Sequence, residues 1–172
     1  MLKSRKGFTV IELVVVIVVL GVLAAIAAPR FLNLSSDAQI ASLNGLGGSV
    51  KEANQLVYSQ AVIEGQEKLS AGSVTFNGET VLTQWGYIKP TYEEIVKVLD
   101  FSSEKLGAHT DIPQEEWGVY PRYAGNQGKH ILYFIPKGTA NIKDEISTYC
   151  FFHYSLTDAS TEPQYYYSTQ GC

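Results

Sequence analysis

Few residues in this 172-residue chain have a type and spacing that could do chemistry. There are two cysteines, Cys150 and Cys172, and three histidines, His109, His130 and His153. The histidines show no spacing with Cys, Asp or Glu that suggests a metal site or an activated nucleophile. No Gly-Xaa-Ser-Xaa-Gly elbow, phosphate-binding loop or dinucleotide fingerprint occurs. The acid pairs Glu93-Glu94 and Glu115-Glu116 read as a solvated helix start and a loop, and no Asp-rich loop supports calcium binding. Catalysis has no foothold, and no metal or cofactor is expected. One acid stands apart. Glu12 lies near the start of an apolar run. A carboxylate there costs about 2.5–3.5 kcal/mol near a bilayer centre, and less toward the interface, so its presence needs a reason.

Composition narrows the class of protein. Hydrophobic residues at 45% and charged ones at 17% exclude both a disordered tail and a multi-span membrane protein. The net charge of −4 argues against a basic nucleic-acid binder. Two cysteines are too few for a disulfide-rich scaffold. The averages hide an asymmetry. Lys3, Arg5 and Lys6 crowd the start with no acid among them, and without them 10 basic residues face 17 acidic ones. From Leu13 to Ala28 there is no charge, and Gly21 is the one residue not plainly apolar. A basic leader, an apolar rod and an acidic, tyrosine-rich domain follow one another.

The rod sets the address. Phe8 to Ala28 makes a helix of about 32 Å, close to a bilayer core of about 30 Å. The basic leader keeps its end in the cytoplasm, so the bulk of the chain is exported to a compartment where cysteines oxidise. Three readings compete. A secretory signal peptide would be cut near Ala25-Ile26-Ala27, but this run exceeds the usual apolar length of about 7–15 residues. A plain one-span anchor leaves Glu12 unexplained.

The third reading gives Glu12 a purpose. The segment Lys6-Gly7-Phe8-Thr9-Val10-Ile11-Glu12-Leu13 resembles the cleavage signature of the type IV prepilins. The resemblance implies that a membrane peptidase cuts after Gly7 and methylates the new N-terminus at Phe8. It also implies assembly roles for Glu12, Gly21 and Pro29. The short leader resembles that of the type IVa kind. Pro29-Arg30-Phe31-Leu32-Asn33-Leu34, Trp85-Gly86-Tyr87 and the terminal Gly171-Cys172 further resemble the mannose-sensitive haemagglutinin (MSHA) pilins. The likeness is concentrated in residues 7–50 and is fainter beyond. Physical chemistry agrees with it. Phe8 and Glu12 are four residues apart and share a helix face, so an ammonium and a carboxylate that are each costly in an apolar medium can offset one another. The amine belongs either to the same chain or to a neighbour. The family scheme is the second, which would also set the stagger between subunits.

Beyond Pro29 the helical period continues. Ile40, Leu43, Leu46, Val50, Ala53, Val57 and Ala61 form one apolar stripe, predicting a single helix from Phe8 to about Ile63, on the order of 80 Å long. Pro29 should bend it or loosen a turn. Gly45, Gly47 and Gly48 are weak points of about 1 kcal/mol each relative to Ala, serving either close packing or unwinding in a fibre. Ser73–Phe76 and Thr80–Thr83 flank Asn77-Gly78 as a hairpin. Thr91 and Glu94 predict a capping box opening a short helix to about Leu99, and Gly107–Pro113 reads as loop. His130–Ile135, Thr148–Ser155 and Gln164–Thr169 read as strands of an antiparallel meander, the first of them central because both its faces are apolar.

In an oxidising compartment Cys150 and Cys172 are expected to pair, closing a loop of about 22 residues worth roughly 3 kcal/mol. In pilins such a bridge bounds a surface region used in assembly and adhesion; a plain staple is the other reading. Of the eleven tyrosines, the run Tyr165-Tyr166-Tyr167 must expose at least one ring by strand alternation. An exposed ring could touch a carbohydrate, a surface or the next subunit.

The expected fold class is α+β, the type IV pilin fold: a long N-terminal helix packed on a small antiparallel sheet. The expected parts are a cleaved leader (residues 1–7), an apolar transmembrane and fibre-core half-helix (8–29) and a globular domain (30–172). The last divides into helix (30–63), connecting region (64–116) and sheet with disulfide (117–172). By resemblance the chain is a structural subunit polymerising into adhesive, and in some pili motile, fibres. Its partners are then the prepilin peptidase, the inner-membrane assembly machinery and further copies of itself. It would start as an inner-membrane precursor with its domain periplasmic and end in an extracellular pilus. A type II secretion pseudopilin, or a minor pilin binding DNA or a surface ligand, are the alternatives, with nucleic acid disfavoured by the acidic charge.

Overall fold

Apolar residues at every third or fourth position can all face one way only on a helix. In a computed structural model, helix α1 runs Val10–Ile63, 54 residues. Described are residues 7–108, 111–124, 129–139, 149–157 and 160–172, without the side chains of 28–33, 124, 160 and 161. Lys3, Arg5, Lys6, His109 and Thr148, all used in the sequence reading, lie outside the described residues, as does the side chain of Pro29. The chain divides into two compact units, Met1–Ala38 and Gln39–Cys172. In the first, the described elements amount to the apolar stretch of α1. The second holds everything else.

Within the second unit the expected stripe is the buried face of α1. Leu43, Leu46, Val50, Ala53, Val57 and Ala61 are buried, and Ile40 is half-buried at the stripe's start. Two sheets supply the cover. The first is a meander of β1 (Gly72–Phe76), β2 (Glu79–Gln84) and β3 (Tyr87–Ile88). Its first turn is the expected Asn77-Gly78, with φ of 50° and 84°, the left-handed pair that matches strand twist. The second turn, Trp85-Gly86, repeats that geometry with φ of 54° and 80°. A tryptophan at positive φ is unusual, and its N–H is anchored to the Leu69 carbonyl at 2.8 Å.

Helix α2 (Tyr92–Val98) is the expected short helix, but its capping box does not form. Thr91 stands at the N-cap without a side-chain bond, and Glu94 turns away to β2. The reason is tertiary. Strand β3 covers only Thr83 and Gln84 of β2, leaving earlier main-chain groups on that side, away from β1, without a strand partner. Such groups must be paired when sheltered from water. Glu94 accepts the Leu82 N–H at 2.7 Å, and Lys97 Nζ donates to both Glu94 and the Thr80 carbonyl at 2.9 Å.

The second sheet has five strands in chain order: β4 (Ser103–Lys105), β5 (Trp117–Ala124), β6 (Lys129–Pro136), β7 (Phe151–Thr157) and β8 (Ser160–Ser168). All neighbours are antiparallel except β4 and β5, which are parallel. Strand β6 is central, as its two apolar faces require. Leu132 and Phe134 join Phe152, Tyr154 and the α1 stripe in the main core, together with Val74, Val81 and Ile88 of the first sheet. Ile135 meets Leu106 and Phe151 on the opposite face. Strands β4 and β5 were not expected. Gly118 and Pro121 speak against a strand, yet β4 ends opposite Val119, so beyond that point a proline can face an open edge.

Gly47 and Gly118 are set by close approach. A Cβ on Gly47 would sit 2.2 Å from the Tyr167 hydroxyl, so this glycine serves packing against β8. Gly45 and Gly48 have open space around them, and the helix runs unbroken through all three. A Cβ on Gly118 would meet Pro113 Cγ at 2.5 Å and Leu106 Cδ1 at 2.7 Å. Replacing Gly118 with Val should therefore destabilise the domain by about 1–3 kcal/mol through overpacking, read as a lower urea midpoint in detergent solution.

Candidate functional site

The residues singled out by the sequence fall in two regions, one in each unit. In the first, Gly7, Phe8 and Thr9 precede α1 and are not helical, and Phe8 is 91% exposed. The Gly7–Phe8 bond thus lies outside the helix with both residues exposed. Thr9 is the N-cap, a role the sequence reading had passed over. Its N–H and its hydroxyl both donate to Glu12 Oε2, at 2.7 and 2.8 Å, while Thr9 Oγ1 accepts the Glu12 N–H at 3.3 Å. This is a capping box, readable in principle from Thr-Xaa-Xaa-Glu before an apolar run. From Val10 to Ala27 the helix is long and apolar enough to cross a membrane, and none of this stretch is buried. Val10, Ile11, Leu13, Leu20 and Ile26 are all exposed. Gly21 lies within this stretch with nothing near its Cα side that a methyl would strike.

In the second unit, Cys150 and Cys172 are joined, with Sγ atoms 2.06 Å apart. Cys150 precedes β7 and Cys172 follows β8, so the bridge closes the open end of that hairpin. The tyrosine run divides as alternation demands. Tyr165 and Tyr167 pack against the main core, and Lys51 of α1 lies 5.3 Å from each ring centroid. Tyr166 points to the other face and is 47% exposed. There it ends a row of rings, one from each of β5 to β8. Tyr120 lies 6.3 Å from Tyr133, Tyr133 lies 5.3 Å from His153, and His153 lies 5.3 Å from Tyr166.

Burial governs the titration of this region. It pushes the Tyr154 hydroxyl well above its ordinary value, and Tyr165 up to about 12. Tyr154 uses its proton: the hydroxyl donates to the Ile88 carbonyl, and the Ile88 N–H donates to Asn54 Oδ1 at 3.1 Å. Asn54 is a buried polar residue on the apolar stripe side of α1 that periodicity alone could not flag. His130 lies against Tyr123 at 4.8 Å. His153 is lowered to about 4 by desolvation first and by Lys129 second, so it is neutral at physiological pH. Among the described residues no group of three or more His, Cys, Asp or Glu side chains could hold a metal ion.

With this geometry in view, comparison with known proteins is informative. Residues 2–28 match the prokaryotic N-terminal methylation motif. The chain is 45% identical over 56 residues to the major component of the narrow type IV pilus of Thermus thermophilus, covering 33% of this chain and 48% of that protein. It is 39% identical over 83 residues to a fimbrial protein of Eikenella corrodens, covering 47% and 54%. It is 37% identical over 68 residues to the type IV major pilin protein of Neisseria gonorrhoeae, covering 40% and 41%. The chain thus spans about half the length of the curated relatives it matches. No solved structure matches it. The motif, the long N-terminal helix and the sheets that follow make the fold α+β and type IV pilin-like.

Two outcomes follow from the second region. Replacing Cys150 and Cys172 together with Ser should cost roughly 3 kcal/mol in the chain-entropy account, checked by denaturant titration. The His153 value gives a pH dependence. The unfolded imidazole binds a proton below its ordinary 6.5 while the folded one does not until about 4, so stability falls as pH drops through that window. A His153→Gln variant should flatten this part of the melting temperature profile.

Proposed function

We propose that this chain is the structural subunit of a type IV pilus, made as an inner-membrane precursor and assembled into surface fibres for attachment. The observation that carries the reading is the 18-residue apolar helical stretch left wholly uncovered, preceded by an open Gly7–Phe8 bond. Such a stretch needs lipid before assembly and other copies of itself afterwards, since its apolar surface must stay out of water throughout. The prepilin peptidase would remove residues 1–7 after Gly7 and methylate Phe8. Residues 8–29 would then pass from the membrane to the fibre core, with 30–172 outside.

Glu12 has its place in this cycle as the partner of the Phe8 ammonium of a neighbouring copy. Gly21 and Pro29 would adapt the helix to close packing, as in the family the segment resembles. Lipid to protein bundle is a nearly neutral transfer for an apolar helix, so assembly machinery in the inner membrane must drive the step. The relatives are named as pilus components and fimbrial proteins, which supports a polymeric role and not an enzymatic one. The finer reading, a pilin of the MSHA kind, rests on the Pro29–Leu34, Trp85–Tyr87 and Gly171-Cys172 segments. The hairpin closed by Cys150 and Cys172, with Tyr166 at its surface, is the part suited to touching a carbohydrate, a surface or the next subunit.

The decisive measurement is the intact mass and N-terminal sequence of the protein sheared from cells. A chain beginning at N-methylated Phe8 is expected; one beginning at Ala28 would make the apolar segment an ordinary signal peptide. Glu12→Val should abolish sheared fibres while leaving the precursor in the membrane, and normal fibres from that variant would remove the ion pair from the scheme.

A further inference from the structure

Glu12 is the one charged side chain between Thr9 and Ala28, and the structure does not leave it bare. Both donors of Thr9, the main-chain N–H and the hydroxyl, converge on the same oxygen, Oε2, at 2.7 and 2.8 Å. The hydroxyl oxygen in turn accepts the Glu12 N–H at 3.3 Å. The box therefore makes no use of Oε1. A carboxylate in an apolar medium is costly until its lone pairs are met, and an ion pair there forms well only when further hydrogen bonds complete it. A side chain already held in one pose also loses less freedom when its partner arrives.

We infer that Thr9 is a positioning residue for Glu12, holding the carboxylate by one oxygen so that the other receives the amine of a second copy of the chain. The inference rests on the proposed pairing of Glu12 with a terminal ammonium. It explains why position 9 needs both a donor and an acceptor on its Cβ. A hydroxyl supplies both, and a methyl of the same shape supplies neither.

The test compares Thr9→Val, which keeps the shape, with Thr9→Ser, which keeps the hydroxyl. In cells with the assembly machinery, both variants should lose the leader normally, with mature masses starting at residue 8. Thr9→Val should yield about tenfold fewer sheared fibres and Thr9→Ser a normal yield, a tenfold change corresponding to loss of a typical N-cap. In the purified full-length precursor in detergent micelles, the Glu12 amide should exchange its hydrogen about tenfold faster in Thr9→Val and at the original rate in Thr9→Ser. Normal fibre yield from Thr9→Val, failure of Thr9→Ser to restore it, unchanged amide exchange, or retention of the leader by Thr9→Val would each overturn the inference. Glu12→Val separates the two levels. If it blocks fibres while Thr9→Val does not, only the positioning role falls; if it assembles normally, the ion pair falls with it.

Discussion

The domain depends on one contact: the apolar stripe of α1, from Leu43 to Ala61, lying under β-sheet aromatics. The helix segment carries three glycines and has a polar remainder, so little in its own propensity holds it. Phe134, Phe152, Tyr154 and Leu132 bury that stripe on one side, and Val74, Val81 and Ile88 of the smaller sheet extend the same core. Tyr167 wedged at Gly47, with Lys51 over its ring, places β8 against the helix at its weakest stretch. The disulfide acts on the same hairpin from its open end.

Main-chain groups of two strands are met by side chains from other elements. Asn54 and Tyr154 reach the two main-chain groups of Ile88, one accepting and the other donating. Glu94 and Lys97 do the same for β2 where β3 stops short. In each case a side chain completes a ladder that a strand does not. The cost of leaving such groups unmade exceeds the modest gain of making them, so these pairs secure the arrangement of the sheets more than they add to stability.

The first half of α1 obeys the opposite rule. Its side chains have no cover within the described residues of its own unit, and its single acid is met locally by Thr9. A helix that is apolar all round on one half and striped on the other requires two different surroundings, lipid or like helices for one and a sheet for the other. The proposed passage of this stretch from lipid to copies of itself would satisfy that requirement.

Much of this was legible in the chain itself. Residues 40 to 61 declare a helix by period, the unbroken apolar run before them by its length, Asn77-Gly78 declares a turn by backbone preference, and β6 declares a central strand by apolar residues on both faces. These are local signals, carried by neighbours in sequence. Thr9-to-Glu12 belongs with them, because a capping box needs only four residues. Tertiary structure alone decided what Glu94 would do, since Thr91 offered it a cap and the side of β2 that β3 leaves uncovered offered it more. It alone admitted β5 in spite of Gly118 and Pro121, by ending β4 early and laying Pro113 across the glycine. It also joined Asn54 to Ile88, 34 positions away. Local pattern determines which segments become helix or strand; which unmet polar group finds which side chain is settled only when distant segments are packed together.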